Sequence, residues 1–354
     1  MKKILVIGSG WAGSSFIKHI DTDKYDVTVI SLNRNFLYTP LLVNSIFYKK
    51  NLLYNIQNIN NIKYEYGYVN DIDLQNNSLF IERKKVNYDY LVLANGSEVN
   101  TFNIEGVNEN CLFLKKEEDI VTIRNKINNL PKSSNIAVIG CGPTGSELIG
   151  SLIDLKKFNI YAIDGLKVPL TSFTKSISKY TYNLWDKNNV NLLLGNFVKK
   201  IDKNNIYYGK DSVKYDLAFW CGGVKISELS RNINKKLNLE CKFGIPVNDY
   251  LKVNNTHNVY AIGDCSYNKN PPIAQVAYQE GKYLAYNFNK DLKDVKPFAF
   301  VNKGQICYIG NGESVYQNNY FTCKGKLVGY FNNIVHIYNA INFDQMISFI
   351  KDKL

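Results

Sequence analysis

The sequence predicts an α/β protein of two nested, doubly wound parallel-sheet domains with a short helical tail, and three observations carry that expectation. A buried apolar strand runs into a cluster of glycines in ILVIGSGWAGSSF, from Ile4 to Phe16. The same strand, glycine turn and helical pattern returns in NIAVIGCGPTGSELIGSLI, from Asn135 to Ile153, where Leu148, Ile149 and Leu152 share one side of the helix. Each unit then leads into a further apolar strand, YDVTVIS or FNIYAID. Strands that alternate with helices in this way form βαβ units on a parallel sheet.

The 354 residues are 45% hydrophobic, enough to bury a substantial core. No apolar run approaches the roughly 18–20 residues of a membrane-spanning helix. The first strand begins directly after Met1, Lys2 and Lys3, which leaves no room for a cleavable targeting peptide and predicts a cytoplasmic protein or one on the inner face of a membrane. The net charge of +12 comes mostly from lysines scattered among asparagine, isoleucine and tyrosine. Without a dense basic cluster or basic residues interleaved with aromatics, no nucleic-acid partner is expected. The seven cysteines, Cys111, Cys141, Cys221, Cys241, Cys265, Cys307 and Cys323, form no C-x-x-C pair, so neither a disulfide framework nor a metal site is expected.

Each glycine turn has the G-x-G-x-x-G spacing, with Gly8, Gly10 and Gly13 in the first and Gly140, Gly142 and Gly145 in the second. Such a turn aims backbone N–H groups and a helix N-terminus at a pyrophosphate, so two turns imply two dinucleotides. Asp164 stands 24 positions beyond Gly140 at a strand tip, where a carboxylate takes both ribose hydroxyls; it favours NADH and repels the 2′-phosphate of NADPH. Ser31 occupies the corresponding place after the first turn. Two further strand ends belong to the pattern. Tyr90 to Ala94 runs into Asn95, Gly96 and Ser97, and Val259 to Ile262 is capped by Gly263 and Asp264.

These pieces together resemble the two-dinucleotide-binding flavoprotein reductases, the pyridine nucleotide-disulfide reductase-like superfamily with its Rossmann-like dinucleotide-binding domains. GSGWAGSSFIKHIDTDKYDVTVIS, FLYTPLL at Phe36 to Leu42 and PPIAQVAYQEGKYLAYNF at Pro271 to Phe288 resemble, more narrowly, the type II NADH dehydrogenases, single-chain NADH:quinone oxidoreductases. The likeness runs over roughly residues 3 to 316, and Trp11 and the Ala274-Gln275…Gln279 spacing are its more specific features. The resemblance implies FAD on the first turn, with Gly8, Gly10 and Gly13 at its pyrophosphate and Asp264 at its ribityl or phosphate end. It implies NADH at Gly140, Gly142, Gly145 and Asp164. Trp11, Ser31, Thr39, Pro40, Ala94, Gly96, Gly222, Gly263 and Ala274 complete the implied cofactor-binding set. Glu147 would stand near the nicotinamide and flavin, and Gln275 and Gln279 beside the flavin face where quinone arrives. Hydride would pass from NADH to the flavin and two electrons then to quinone, without proton pumping, side-chain nucleophile or metal.

The implied domains are an FAD domain at 1–112 and 245–325, an NADH domain at 113–244, and an amphipathic segment at 326–354. In that segment Tyr330, Ile334, Ile337, Tyr338 and Ile341 form one apolar stripe, and Phe343, Met346, Ile347, Ile350 and Leu354 another. The stripes suit peripheral membrane contact, a homodimer interface or the protein's own core. Three departures from the family pattern stand out: Val43 to Tyr48 after TPLL, Asn95 in place of a commoner threonine, and Cys221 where small residues are usual. Three rival functions share the architecture, one of them a non-enzymatic, basic NADH-sensing binding protein in the manner of the apoptosis-inducing flavoproteins, which would need DNA or partner binding that the scattered charge does not suggest. A sulfide:quinone reductase would need paired redox cysteines, and a soluble NADH-dependent flavin reductase with another acceptor would suit the short tail.

Overall fold

The computed structural model describes residues 1–33, 35–47, 53–55 and 61–332. Of the two apolar stripes only Tyr330 falls among them, on a helix that runs from residue 326 to 332; the other members lie outside the described residues, as does Tyr48. In chain order the principal strands are β1 (Lys2–Ile7), β2 (Tyr25–Ser31), β3 (Lys63–Tyr66), β4 (Tyr90–Leu93), β5 (Cys111–Phe113), β6 (Asn135–Ile139), β7 (Asn159–Asp164), β8 (Asn191–Leu194), β9 (Leu217–Trp220) and β10 (Val259–Ala261). The principal helices are α1 (Trp11–His19), α2 (Leu42–Phe47), α3 (Glu117–Asn129), α4 (Pro143–Leu155), α5 (Lys175–Lys187), α6 (Glu228–Lys236) and α7 (Ala274–Asn289).

The chain divides into two compact units, the first formed by Met1–Leu37, Leu53–Glu98 and Val224–Val301, the second by Tyr38–Leu52, Val99–Gly223 and Asn302–Leu354. The first unit holds a parallel sheet in the order β10-β4-β1-β2-β3. Its central strand has Ile4, Leu5 and Val6 at 0% exposure, because a parallel strand between two neighbours is covered on both faces. One cover is α1 packed against α7, with Phe16 and Phe288 edge to face at 5.8 Å. Burial of each such ring stabilises the unit by about 1.5–3 kcal/mol. Gly281 permits this approach, since a Cβ there would lie 2.3 Å from the Ala12 carbonyl oxygen. An antiparallel sheet of Val69–Asp73, Ser78–Ile81 and Lys84–Asn87 contributes Ile72, Leu79 and Ile81 to a core shared with Leu5, Ile7, Leu91 and Leu93.

The second unit repeats the plan with a parallel sheet in the order β5-β9-β6-β7-β8. Leu148, Ile149 and Leu152 of α4 are at 0% exposure, as the helical spacing predicts. A second antiparallel sheet, Gln305–Gly310, Glu313–Gln317 and Thr322–Gly325, packs on α4 where Gly150 meets Gly310. The residues that depart from TPLL form α2, whose Leu42, Val43, Ser45 and Ile46 are buried. This helix docks on α3 and α4, and Arg124 of α3 donates to the carbonyls of Ser45 and Ile46 at its C-terminus. In both units a glycine turn leaves the carboxyl end of a central strand, the edge at which open α/β sheets bind ligands.

Candidate cofactor and active site

In the first turn the three glycines do three different things. Gly8 has φ +103° and a Cβ on it would lie 2.3 Å from the Ala94 carbonyl oxygen, so the turn presses on the end of β4. A Cβ on Gly13 would lie 2.1 Å from the Gly8 oxygen, which brings α1 hard against the strand. A Cβ on Gly10 would meet nothing within 4 Å. Gly10 is also the N-cap of α1, and no side chain caps that helix. Open space over the middle glycine, with uncapped helical N–H groups behind it, is the cradle a phosphate needs.

The side chains around this turn are polar and mutually bonded. Ser31, buried at the tip of β2, shares a 2.8 Å hydrogen bond with Ser9 of the turn and accepts from the Asn33 N–H at 3.1 Å. Trp11 begins α1 with its ring edge to face with Phe36 at 5.0 Å. Ala94 is buried at the end of β4, followed by Asn95, whose Nδ2 donates to Ser227 at 2.6 Å and Ser230 at 3.0 Å. The Asn95 Oδ1 is buried and has no hydrogen-bond partner among the described residues. Gly96, at φ +67°, again has no atom within 4 Å of where a Cβ would stand.

The other strand end supplies Gly263 at φ +73°, where a Cβ would lie 2.9 Å from the Ala12 Cβ of α1. Asp264 follows, and its Oδ2 accepts from Ser97 at 3.0 Å. Ser97, Gly263, Asp264, Asn268 and Glu280 line a cavity of about 250 Å³ within this unit. A wider open cleft of about 480 Å³ lies among Lys3, Lys63, Lys84 and Lys85, at the amino ends of the strands and away from the glycine turn. Ala274 opens α7, with Gln275 next to it; the Gln279 amide donates to the Val301 carbonyl at 2.9 Å and accepts from the Val301 N–H at 3.0 Å. Sequence reasoning missed Ser9, Asn33, Asn268 and Glu280.

The second unit holds its own version of the turn. Gly140 has φ +98° and presses on Cys221 at the end of β9, where a Cβ would lie 2.7 Å from the backbone. A Cβ on Gly145 would lie 1.9 Å from the Gly140 oxygen, and one on Gly142 would meet nothing within 4 Å. Gly142 is the N-cap of α4, uncapped by any side chain, with Pro143 at the first helical position. Gly222, beside Cys221, lies against the Trp220 ring. Asp164 ends β7 beside this turn, its Oδ2 accepting from the Cys141 N–H at 2.6 Å and its Oδ1 from the Leu166 N–H at 2.7 Å.

Glu147 projects from the first turns of α4, half-buried, and burial pushes its carboxyl up to about 8. Thr39 and Pro40 lie on a short 3₁₀ turn just before α2 in the same unit. All seven cysteines are free. Burial raises the thiols of Cys111, Cys221 and Cys265 to about 12 and those of Cys141 and Cys307 well above their ordinary value. Among the described residues no cluster could hold a metal ion, and no helix is long and apolar enough to cross a membrane.

Known proteins align with this chain over most of its length. Residues 2–281 match the pyridine nucleotide-disulphide oxidoreductase family. A probable NADH dehydrogenase of Dictyostelium discoideum is 31% identical over 92% of this chain and 82% of its own. The external alternative NADH-ubiquinone oxidoreductase of Yarrowia lipolytica mitochondria is 30% identical over 81% of this chain, which spans only 59% of that protein. Among solved structures, NDH2 from Plasmodium falciparum in complex with NADH superposes with a TM-score of 0.91 at 25% identity, covering 99% of this chain and 97% of that one. The sulfide:quinone oxidoreductase of Aquifex aeolicus shares the fold, with a TM-score of 0.81 at 18% identity. With two glycine turns of matching geometry and these relatives, the chain belongs to the pyridine nucleotide-disulphide oxidoreductase family and, within it, to the type II NADH dehydrogenases.

Proposed function

We propose that the protein is an FAD-dependent NADH:quinone oxidoreductase, with FAD on the first unit and NADH on the second. The observation that carries this reading is the pair of phosphate cradles, each open over its middle glycine, of which only the second has a carboxylate at the neighbouring strand tip. Ser9, Ser31 and Asn33 give the first cradle hydroxyl and amide partners for a ribose without a negative charge. Asp164 gives the second an anion that accepts hydroxyl hydrogens and repels a 2′-phosphate. Hydride acceptance followed by two-electron return to a quinone is the chemistry that a bound flavin supplies.

The residues of the chain bind, orient and hold protons. The α1 and α4 N-termini offer uncapped N–H groups to the two pyrophosphates. Asp264 and Ser97 would face the ribityl or phosphate end of FAD. Glu147, neutral near pH 7, carries a proton on its carboxyl oxygen where the nicotinamide would lie and adds no negative charge there. Gln275 and Gln279 would border the quinone approach. Burial raises the thiols of Cys111, Cys221 and Cys265, which disfavours the thiolate at these three positions. Leu327 and Tyr330, 85% and 72% exposed at the start of the C-terminal helix, support a peripheral contact with a quinone-bearing membrane, and a homodimer through the same face is the competing arrangement.

The test is a spectrum. The purified protein should show flavin absorbance that bleaches with NADH under anaerobic conditions and returns on addition of a short-chain quinone. Protein that is colourless and takes up no FAD refutes the reading, and bleaching by sulfide but not by NADH transfers it to the rival. Co-sedimentation with anionic liposomes, with and without residues Asn342–Leu354, separates membrane contact from a dimer.

A further inference from the structure

Glu280 is the only charged side chain that is fully buried among the described residues, at 0% exposure, and it lies under the Gly263–Asp264 turn. Its Oε2 accepts from the Gly263 N–H at 2.6 Å and its Oε1 from the Asn268 Nδ2 at 2.7 Å. The Ser266 hydroxyl stands 3.4 Å from Oε2 but 2.9 Å from the Gly263 carbonyl oxygen. The Ser266 hydroxyl donates chiefly to the nearer Gly263 carbonyl and more weakly to Oε2, and it can rotate to accept instead. The pocket therefore accommodates both forms of the acid. The carboxylate accepts from two N–H donors, and the neutral form can in addition direct its O–H to Ser266.

Among the described residues no basic group pairs with this carboxyl. Asp264 and Cys265 belong to the turn above it, Lys225, Lys242 and Tyr267 line the adjoining cavity, and Tyr278, Lys282 and Tyr283 share its helix. Burial, with a smaller push from Asp264, raises it to about 7 against the pull of its hydrogen bonds. Gly263 sits in the left-handed region with its N–H committed to Glu280, so the carboxyl in α7 fixes where Asp264 stands against the cavity they share.

We propose that Glu280 is a positioning residue for the nucleotide at this turn: its buried carboxyl anchors Gly263 and Asn268, and gain or loss of its proton changes the turn's grip. This rests on the reading that the first unit holds FAD. The ionised form makes charge-assisted bonds to both donors, which are roughly twice as strong as neutral ones, so the grip is firmest when the proton is absent. By linkage, FAD binding then lowers the proton affinity of Glu280, and holoenzyme formation releases protons near pH 7.

Flavin release from diluted holoenzyme, read by fluorescence, gives the dissociation constant between pH 6 and pH 8. Wild-type protein should hold FAD several-fold more tightly at pH 8 than at pH 6. Glu280→Gln cannot ionise, and its amide nitrogen faces one of two donors; its affinity at pH 8 should be about tenfold weaker and its pH step absent. Asn268→Ala removes one donor without touching the acid and should move the midpoint of the pH step upward, which keeps the idea testable if Glu280→Gln does not fold. An identical pH step in wild type and Glu280→Gln, or an unmoved midpoint in Asn268→Ala, overturns the proposal and leaves the cofactor reading intact. Protein that contains no FAD at any pH sinks the cofactor reading itself, and this proposal with it.

Discussion

Replacing Gly142 and Gly145 separately by alanine distinguishes the part of the second turn that folds from the part that binds. At Gly145 a Cβ would lie 1.9 Å from the Gly140 oxygen, and contacts under 3.0 Å do not occur, so α4 must move by about 1 Å. Overpacking of that kind costs about 1–3 kcal/mol. At Gly142 the backbone has φ −69° and ψ −173°, which alanine adopts freely, and nothing lies within 4 Å of the new methyl. Alanine is a poorer N-cap than glycine by a few tenths of a kcal/mol or somewhat more, and a stiffer unfolded chain returns about 0.4–1 kcal/mol, so folding stability should stay within about 0.5 kcal/mol. The methyl stands where a phosphate would contact backbone N–H groups, and loss of one or two such bonds to a charged group, about 1.5–3 kcal/mol each, weakens NADH at least tenfold. Urea unfolding measures the first quantity and the NADH dependence of flavin bleaching the second. A Gly142→Ala protein that is as unstable as Gly145→Ala, or that saturates with NADH like wild type, would refute the assignment of the middle glycine to the phosphate.

Three further outcomes follow from the same geometry. Asp164→Asn should erode the preference for NADH over NADPH and cost about 1–3 kcal/mol of stability, because its amide nitrogen must face a backbone N–H; urea unfolding and comparative kinetics read both. Glu147 has its proton affinity raised in the folded state to about 8, so the stability it contributes is complete below the unfolded-state value near 4.5 and is lost as pH rises through about 8; Glu147→Gln should flatten that part of the stability–pH curve. Gln275→Ala should slow flavin reoxidation by quinone and leave reduction by NADH intact, whereas Gln279→Ala, which also severs both bonds to Val301, should in addition speed hydrogen exchange around residue 301.

The glycine turns were legible because their function forces their sequence. Close approach at Gly8, Gly13, Gly140 and Gly145 excludes any Cβ, so the spacing survives in the chain as a plain signal. The helical face of Leu148, Ile149 and Leu152 was readable for a similar reason, since burial fixes its period. Glu280 was not legible. It lies in a polar stretch, YQEGKY, that reads as a solvated face, and only the long-range meeting of α7 with the turn around Gly263 shows that it is buried. The bonds from Gln279 to Val301 were hidden in the same way, because 22 residues separate the partners and no local pattern marks them. Ser31 stands where an acid is expected, and nothing local in the sequence marks its hydrogen bond to Ser9, 22 residues away. The residues after TPLL depart from the family pattern, and the contacts that hold Val43 to Phe47 as a short helix come from Arg124, far away in sequence.

Asp164 has a consequence for anyone who would re-engineer the electron donor. The carboxylate that would select the sugar also ties Cys141, in the middle of the glycine turn, to Leu166, just past the end of β7, through one oxygen each. Discrimination between nucleotides and the shape of the phosphate cradle thus share a single side chain and cannot be altered one at a time. A donor-swapped variant would need a substitute tie between positions 141 and 166 as well as a cation for the extra phosphate. Lineages that change donor should carry compensating changes at those two backbone positions, or arrive at the new specificity through a less stable intermediate.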